Sequence, residues 1–320
     1  MTKVLITRKI PDRFVNDLEQ FAEVEMWPHD LTPMPRDQFL ASIKDATACI
    51  TTLSETIDET VLSQAPHLKV IVNMAVGYDN INLELTRTHN VVVTNTPHVL
   101  SETTAELGFS LMLAVARRIV EAEKYVKDGK WQSWGPYLFA GKDVFQSKVG
   151  IFGMGEIGQA FARRLQGFHS DVLYHNRSRN LKAEKTLGVH YTDFDTLISE
   201  SDFVICTAPL TQETERRFNK DVFKKMKRDA IFINIGRGPI VVEKDLVEAL
   251  KQGEILGAGL DVVTEEPIDM NHEFLKLDNV VVVPHIGSAT VVTRNRMIQC
   301  CVENVKAILN DKPPKTPVEL

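Results

Sequence analysis

Short apolar runs alternate with amphipathic stretches along almost the whole chain. "KVLIT" is followed by a helical pattern through Phe14, Leu18 and Phe21. Then come "VEMW", a polar helical stretch, "TACITT", another helical stretch, "KVIVN" and "VVVTN". Strands that alternate with helices predict βαβ units and a parallel sheet. Their near-continuous Val and Ile content predicts strands covered on both faces. A second series starts at "KVGIFGMGEIG" and runs through "DVLYH", "DFVICTA", "AIFINIG", "ILGAGLDVV" and "NVVVVPHIG". These six strands suffice for a complete doubly wound sheet. The pattern thus predicts an α/β fold with two doubly wound parallel-sheet domains.

Between the two series, "SETTAELGFSLMLAVARRIVEAEKYVKDGK" predicts one long helix, with Ser101 as a candidate cap and Gly129 near its end. Leu107, Leu111, Ala114, Val115 and Ile119 share a face, but "LMLAVA" is apolar nearly all round. Such a helix is covered on more than one side. A core helix within one domain would satisfy that. A helix shared with a second subunit is the favoured expectation, because "KWQSWGPYLFAG" follows and would expose a large aromatic patch. The last stretch, "SATVVTRNRMIQCCVENVKAILNDKP", predicts a helix ending near Pro313 and Pro314. With no strand after it, it is a candidate to cross back to the first domain.

Length and composition narrow the function classes. A chain of 320 residues has room for two ordinary domains, each with its own core. Lys plus Arg is 37 against 43 for Asp plus Glu, a net charge of −6 with no basic block, which argues against nucleic acid as the main partner. The start, "MTKVLITRKIPDRF", has no apolar core of a signal peptide, and no apolar run reaches membrane-spanning length. Cys49, Cys206, Cys300 and Cys301 lack metal-site spacing and suggest no disulfide framework. A reduced, cytoplasmic protein without a metal is the expectation.

Candidate chemistry lies at strand ends. "GIFGMGEIGQAFARRL" carries Gly153, Gly155 and Gly158 in G-x-G-x-x-G spacing. The spacing alone is weak, but an apolar strand precedes it and an amphipathic helix and a further strand follow. Gly153 suits the tight turn, Gly155 the approach of a pyrophosphate, and Gly158 close helix–strand packing. The helix N-terminus then faces the phosphates. Three further strand ends carry Arg237 ("FINIGRGPIV"), Asp261 with Glu265 and Glu266 ("GLDVVTEEP"), and His285 ("VVVPHIGSAT"). Taken singly, these are ordinary as a surface charge, a turn acid and a loop histidine. As a set on successive strand ends of one dinucleotide domain, they point to catalysis.

These stretches, with "NMAVGYDNINL", "NTPHVLSETTAELGFSLML", "NIGRGPIVVEKDLVEAL", "GAGLDVVTEEP" and "PHIGSAT", closely resemble the D-isomer-specific 2-hydroxyacid dehydrogenases over essentially the whole chain. Within that family the resemblance is greatest to glyoxylate/hydroxypyruvate reductases. It implies a Rossmann dinucleotide-binding domain over 99–289, with a dimerisation helix and loop at about 99–140. It also implies a smaller flavodoxin-like substrate domain from 1–98 plus 290–320, and a homodimer. Arg237 would hold the substrate, His285 would be the acid/base, and Glu266 its partner. Val76 and Gly77 would give N–H groups to the substrate carboxylate, and Trp134 would reach the neighbouring subunit's site. Asp261 would meet the nicotinamide carboxamide. Further cofactor contacts would come from Thr104, Met154, Glu156, Ile157, Ala208, Pro209, Thr214, Ile235, Gly236 and Gly287. One departure is "NMAVGYD", where Asn73 and Met74 replace residues that are often small, which bears on pocket size.

The implied reaction is hydride transfer to C2 of a 2-oxo acid, with His285 donating a proton to the carbonyl oxygen. Other 2-oxo acids, such as 2-ketogluconate, pyruvate or a branched-chain keto acid, are the nearest alternatives. Glu266 argues against a formate dehydrogenase, which pairs its histidine with glutamine. A dinucleotide-sensing binding protein like the corepressors of this fold is the alternative from a different class; it would depend on docking surfaces and appended tails, and neither is expected here. The second strand of the dinucleotide domain ends in "HNRSRN", without the acid that binds a ribose 2′-hydroxyl. Asn176, Arg177 and Ser178 suit a 2′-phosphate instead, with Arg179 adding to the local positive field. NADPH is therefore favoured, with NADH as the alternative.

Overall fold

The computed structural model describes residues 2–318. The chain forms two compact units, one from the residues up to Leu100 together with those from Ala289 onward, the other from Ser101–Ser288. The first unit alternates β1 (Lys3–Ile6), α1 (Asp12–Glu19), β2 (Glu23–Met26), α2 (Arg36–Ser42), β3 (Ala48–Thr51), α3 (Glu59–Ser63), β4 (Val70–Asn73), α4 (Leu83–Thr88) and β5 (Val92–Thr94). Its five strands are all parallel, in the order β2-β1-β3-β4-β5, which is the flavodoxin-like arrangement.

The second unit opens with α5 (Ser101–Ala116) and α6 (Ile119–Lys127). It continues through β6 (Lys148–Phe152), α7 (Glu156–Leu165), β7 (Asp171–His175), α8 (Leu181–Leu187), β8 (His190–Tyr191), α9 (Phe194–Glu200) and β9 (Phe203–Cys206). Then come α10 (Lys220–Lys225), β10 (Ile231–Asn234), α11 (Glu243–Lys251), β11 (Gly257–Leu260) and β12 (Val280–Val282). The seven strands are parallel in the order β12-β11-β10-β9-β6-β7-β8. Read from β8, the first six run 3-2-1-4-5-6, the Rossmann order, with a reversal between β6 and β9. The final helix, α12 (Val291–Leu309), belongs to the first unit, and Thr290 caps it by accepting the Thr293 N–H at 3.2 Å.

Strand alternation sends side chains to two covered faces. In the first sheet, Leu5, Cys49, Ile71 and Val93 pack with Phe39, Ile43 and Leu62. Val4, Ile6, Ile50, Val70 and Val72 pack with Phe14, Leu18 and the α12 residues Ile298, Cys301, Val302 and Val305. The second sheet divides in the same way, around Phe161 on one face and around Phe218 and Phe232 on the other. Fully burying each such side chain contributes about 1.5–3 kcal/mol. Cys206 is a buried core residue, and burial pushes its thiol up to about 12.

Two details differ from the pattern in the sequence. The second sheet has seven strands rather than six. The extra one, His190–Tyr191, is a two-residue edge strand paired with Leu173 and Tyr174, too short to show any periodicity. The single long helix expected from Ser101 is broken, and Arg118 lies between its halves with φ 52° in the left-handed region. The break is closed from a distant segment. Lys142 donates its N–H to the Ala116 carbonyl at 2.8 Å, and a Cβ on Gly141 would lie 2.1 Å from that same oxygen. Arg118 is held by Glu121, Nη2 to Oε2 at 2.6 Å. Ile119, expected on the buried face, is exposed in α6. Among the described residues no helix is long and apolar enough to cross a membrane.

Candidate active site

The glycine turn follows β6. Gly153 has φ 106°, which L side chains rarely adopt, and a Cβ there would lie 2.7 Å from the Ala208 nitrogen. A Cβ on Gly236 would lie 2.7 Å from the Ala208 oxygen. Gly153, Ala208 and Gly236 thus bring the ends of β6, β9 and β10 into backbone contact. Gly158 packs α7 on the turn, since a Cβ would lie 2.2 Å from the Gly153 oxygen. At Gly155, by contrast, a Cβ would meet nothing within 4 Å. That open space lies over the start of α7, whose N-cap residue has no side chain to cap it. A dinucleotide pyrophosphate fits these features, with α7 offering backbone donors and the positive end of its dipole.

Met154 has a buried side chain, so only its backbone is available to a ligand. Its N–H is taken by Asn176 Oδ1 at 2.6 Å, and its carbonyl accepts from Asn180 Nδ2 at 3.2 Å. The loop after β7 is therefore stitched to the glycine turn. Arg179 does not add free positive charge there. It pairs with Glu184, Nη2 to Oε2 at 2.6 Å, and lies over the Tyr191 ring. Hydrogen bonds from Arg179 and Tyr174 hold the Glu184 carboxyl down to about 2. Arg177 differs, with a side chain 87% exposed and Glu213 3.9 Å away. Ser178 is also exposed. Glu184 had no visible signal in the sequence, since only the folded loop brings it to Arg179.

The proposed acid/base group lies on the turn after β12. His285 Nδ1 is 2.7 Å from Glu266 Oε2, and Glu266 Oε1 accepts the Val263 N–H at 3.2 Å. Among the described residues the other ring nitrogen, Nε2, has no hydrogen-bond partner. His285 has φ 50°, a left-handed backbone uncommon outside glycine. Three hydrogen bonds tie the turn to Asp261. The His285 N–H donates to the Asp261 carbonyl at 2.9 Å. Ile286 N–H and Gly287 N–H donate to the Asp261 carboxylate oxygens at 2.7 and 2.9 Å. Asp261 is buried, and that burial raises its carboxyl above the usual range, against the lowering effect of these bonds. Gly287 also borders Thr104, whose Cγ2 would lie 3.1 Å from an added Cβ.

Arg237 stands just past β10. Asn234 fixes this turn, accepting the Gly236 N–H at 3.0 Å and donating to the Arg237 carbonyl at 3.0 Å. Arg237 Nη1 donates to the Gly236 carbonyl at 2.9 Å. A Cβ on the next residue, Gly238, would lie 2.0 Å from the Val263 carbonyl carbon. The Arg237 turn and the loop bearing Glu266 are therefore in backbone contact. Asn234 escaped the sequence reading, although an Asn closing an apolar strand just before Gly-Arg-Gly was visible in "FINIGRG".

Other expected cofactor residues fall at the same strand ends. Thr214 Oγ1 donates to the Pro209 carbonyl at 2.7 Å. Ile235 is buried with its side chain against Gly108 of α5. Glu156 opens α7 and accepts from Ser101 Oγ at 2.8 Å, so Ser101 braces the start of that helix. Ile157 is half-buried on the same turn. In the first unit, Val76 and Gly77 follow β4 on a half-buried loop. Trp134 is 81% exposed and Tyr137 84%, with Trp131, Leu138, Ile119, Val120 and Val126 also exposed. A hollow of about 580 Å³ nearby is lined by Val115, Arg118, Val120, Gly141, Leu256 and Val281, and by none of the candidate catalytic residues.

A glycine-turn dinucleotide site with a histidine–carboxylate pair and an arginine on neighbouring strand ends defines a dinucleotide-dependent oxidoreductase. A model of the family described as "D-isomer specific 2-hydroxyacid dehydrogenase, NAD binding domain" matches residues 109–287. Glyoxylate reductase of Pyrococcus furiosus is 45% identical over 98% of this chain and 94% of its own. Glyoxylate reductase of Thermococcus onnurineus is 46% identical over 98% and 95%. A protein structure from Thermus thermophilus superposes with TM-score 0.93 at 41% identity, covering 99% of this chain and 100% of that one. The NADPH-dependent glyoxylate/hydroxypyruvate reductase of Sinorhizobium meliloti, solved with NADP and malonate, gives TM-score 0.86 at 32% identity, covering 99% and 96%. The chain belongs to the D-isomer specific 2-hydroxyacid dehydrogenase family. It is an enzyme of that kind, using a nicotinamide dinucleotide.

Proposed function

We propose that this enzyme reduces glyoxylate or hydroxypyruvate to the D-2-hydroxy acid, with NADPH preferred over NADH. The observation that carries the reading is the His285–Glu266 pair, at 2.7 Å with Nε2 left over, on a strand end of the dinucleotide unit. The relatives' activity on glyoxylate supports the substrate. The dinucleotide, when bound, supplies a hydride to C2 of the oxo acid. Gly153, Gly155 and Gly158 with the start of α7 hold its pyrophosphate. Thr104, Ala208, Pro209, Thr214, Ile235, Gly236, Asp261 and Gly287 line its remaining length. His285 donates its Nε2 proton to the carbonyl oxygen as negative charge develops there. Glu266 keeps the ring turned. Arg237 offers a planar fork to the carboxylate and the carbonyl. The N–H groups of Val76 and Gly77 take the carboxylate.

The enzyme is a homodimer built on α5, α6 and the aromatic loop, and Trp134 enters the partner's site. The exposed Trp134 and Tyr137 support this, because an apolar surface of that size is rarely left to water. Trp134→Ala is expected to raise KM for hydroxypyruvate about tenfold while the cofactor KM stays put. An unchanged hydroxypyruvate KM would remove Trp134 from the site. The cysteines are free, with Cys49, Cys206 and Cys301 buried, which suits the reducing cytoplasm.

The cofactor preference rests on Arg177 and Asn176. Arg177 is exposed beside the turn, and nothing acidic occupies position 176. A charge-assisted bond from Arg177 to a 2′-phosphate contributes roughly 1.5–3 kcal/mol, about tenfold to hundredfold in preference. Asn176→Asp is a clean test. An aspartate oxygen can still accept the Met154 N–H, so the turn survives and only a repelling charge is added. Measuring kcat/KM for a panel of 2-oxo acids with both reduced cofactors tests the whole reading. Glyoxylate or hydroxypyruvate with NADPH is expected to lead, and both Arg177→Ala and Asn176→Asp to erode the NADPH advantage. A lead for pyruvate or 2-ketogluconate overturns the substrate, and equal use of NADH overturns the cofactor preference.

A further inference from the structure

The loop after β4 is held by its carbonyls. Three successive carbonyls are each held by a donor from the ends of β4 and β5. The Ala75 oxygen accepts the Thr96 N–H at 2.8 Å, and the Val76 oxygen accepts Asn95 Nδ2 at 2.8 Å. The Gly77 oxygen accepts Asn73 Nδ2 at 2.8 Å. In a planar trans peptide the N–H points opposite to the preceding carbonyl. The amides of Val76, Gly77 and Tyr78 are therefore turned away from these anchors. None of the three donates a hydrogen bond to another described residue. Successive backbone N–H groups left unpaired on one loop form a ready anion cradle.

The two asparagines are themselves held. Thr51 Oγ1 donates to Asn73 Oδ1 at 3.2 Å, which fixes the amide so that Nδ2 faces Gly77. The same Nδ2 is 3.4 Å from Asn80 Oδ1, and Asn80 Nδ2 donates to the Thr52 and Glu55 carbonyls at 3.1 and 2.8 Å. Asn95 is clamped by Thr316, whose Oγ1 donates to its carbonyl at 2.7 Å and whose carbonyl accepts its N–H at 3.3 Å. Asn73 and Asn95 are both buried. Two buried side-chain amides spent on consecutive loop carbonyls have a purpose beyond filling space, because an apolar residue would fill it without needing hydrogen-bond partners.

We propose that Asn73 and Asn95 are positioning residues that aim the Val76–Gly77 amides at the carboxylate of the 2-oxo acid. Neither asparagine touches the substrate; each acts through a carbonyl. Asn73, which stands where small residues are common, therefore serves recognition rather than pocket width. The inference rests on the reading of Val76 and Gly77 as the carboxylate site, and the test separates the two. Asn73→Asp and Asn95→Asp keep the size and the acceptor but cannot donate, so each carbonyl loses its anchor.

The full-length protein saturated with NADPH is titrated with oxamate while the amide resonances of Val76 and Gly77 are followed. In the unaltered enzyme both resonances are expected to move. Each variant is expected to bind oxamate about tenfold more weakly and to raise KM for glyoxylate about tenfold. The KM for NADPH should not change, and kcat should stay within about twofold, a split that general loosening of the fold would not produce. Asn95→Ala supplies a third variant if a buried aspartate prevents folding. Resonances that move in the unaltered enzyme, with variants that bind oxamate as tightly, overturn the positioning role and leave the carboxylate site standing. Resonances that do not move in the unaltered enzyme overturn both.

Discussion

His285→Ala is expected to lower kcat for glyoxylate reduction by about 10²–10⁴-fold. The loss is of one proton donor at the carbonyl oxygen. Little else should change, because the turn that carries residue 285 is held by backbone. Its N–H bonds to the Asp261 carbonyl, and the next two N–H groups bond to the Asp261 carboxylate. None of those bonds uses the imidazole. The glycine turn after β6 is a separate loop, so NADPH should bind as before. Glu266→Gln should cost less, roughly tenfold to hundredfold, because the amide oxygen can still accept from the ring while the negative charge is lost. Stopped-flow single turnover with bound NADPH and saturating glyoxylate is the measurement. A His285→Ala enzyme with near-normal hydride transfer would falsify the assignment.

Arg237→Ala is expected to lower kcat/KM by about 10²–10³-fold, the usual cost of removing a preorganised donor at developing charge. Arg237→Lys should recover only a small part of it. A lysine ammonium is a point charge and cannot give two parallel hydrogen bonds to a carboxylate. Asn234 makes two hydrogen bonds to the backbone of this turn that do not involve the arginine side chain, so the variant should fold although the bond from Arg237 Nη1 to the Gly236 carbonyl is lost. The expected pattern is a raised KM for the oxo acid together with a reduced kcat, since in the proposed reaction the guanidinium would serve both the bound carboxylate and the reacting oxygen. If the lysine variant matched the parent enzyme, a general positive charge would suffice and the two-pronged grip would be wrong.

The chemistry-bearing positions were legible where a physical demand restricts the residue type. Gly153 must take φ 106°, and Gly158 must let α7 approach the turn, so glycine appears in the chain at those places. Arg237, Glu266 and His285 each follow an apolar strand, and strand ends are where ligands meet an open sheet. The missing acid at Asn176 was equally plain. What the loop does around it was not. Arg179 looked like added positive charge, but in the fold Glu184 neutralises it, and Asn176 is engaged with the Met154 N–H.

By itself, then, the sequence determined the alternation of strands and helices, the two covered sheets, the glycine turn and the set of candidate side chains at strand ends. These follow from local preferences and periodicity, which each segment expresses on its own. Only the tertiary structure decided where α5 stops, which α12 side chains meet the first sheet, which arginine near position 176 pairs with Glu184, and how Asn73, Asn95 and Asn234 hold their loops. For the end of α5 and for Asn95 the deciding partner is distant in sequence, while for Arg179, Asn73 and Asn234 it lies a few residues away but meets its mate only once the turn has folded. The Ala116 carbonyl meets the Lys142 N–H, the Asn95 amide meets the Val76 carbonyl, and Ser101 meets Glu156. A hydrogen bond needs its two atoms within about 3 Å, and only the packed chain brings such pairs that close.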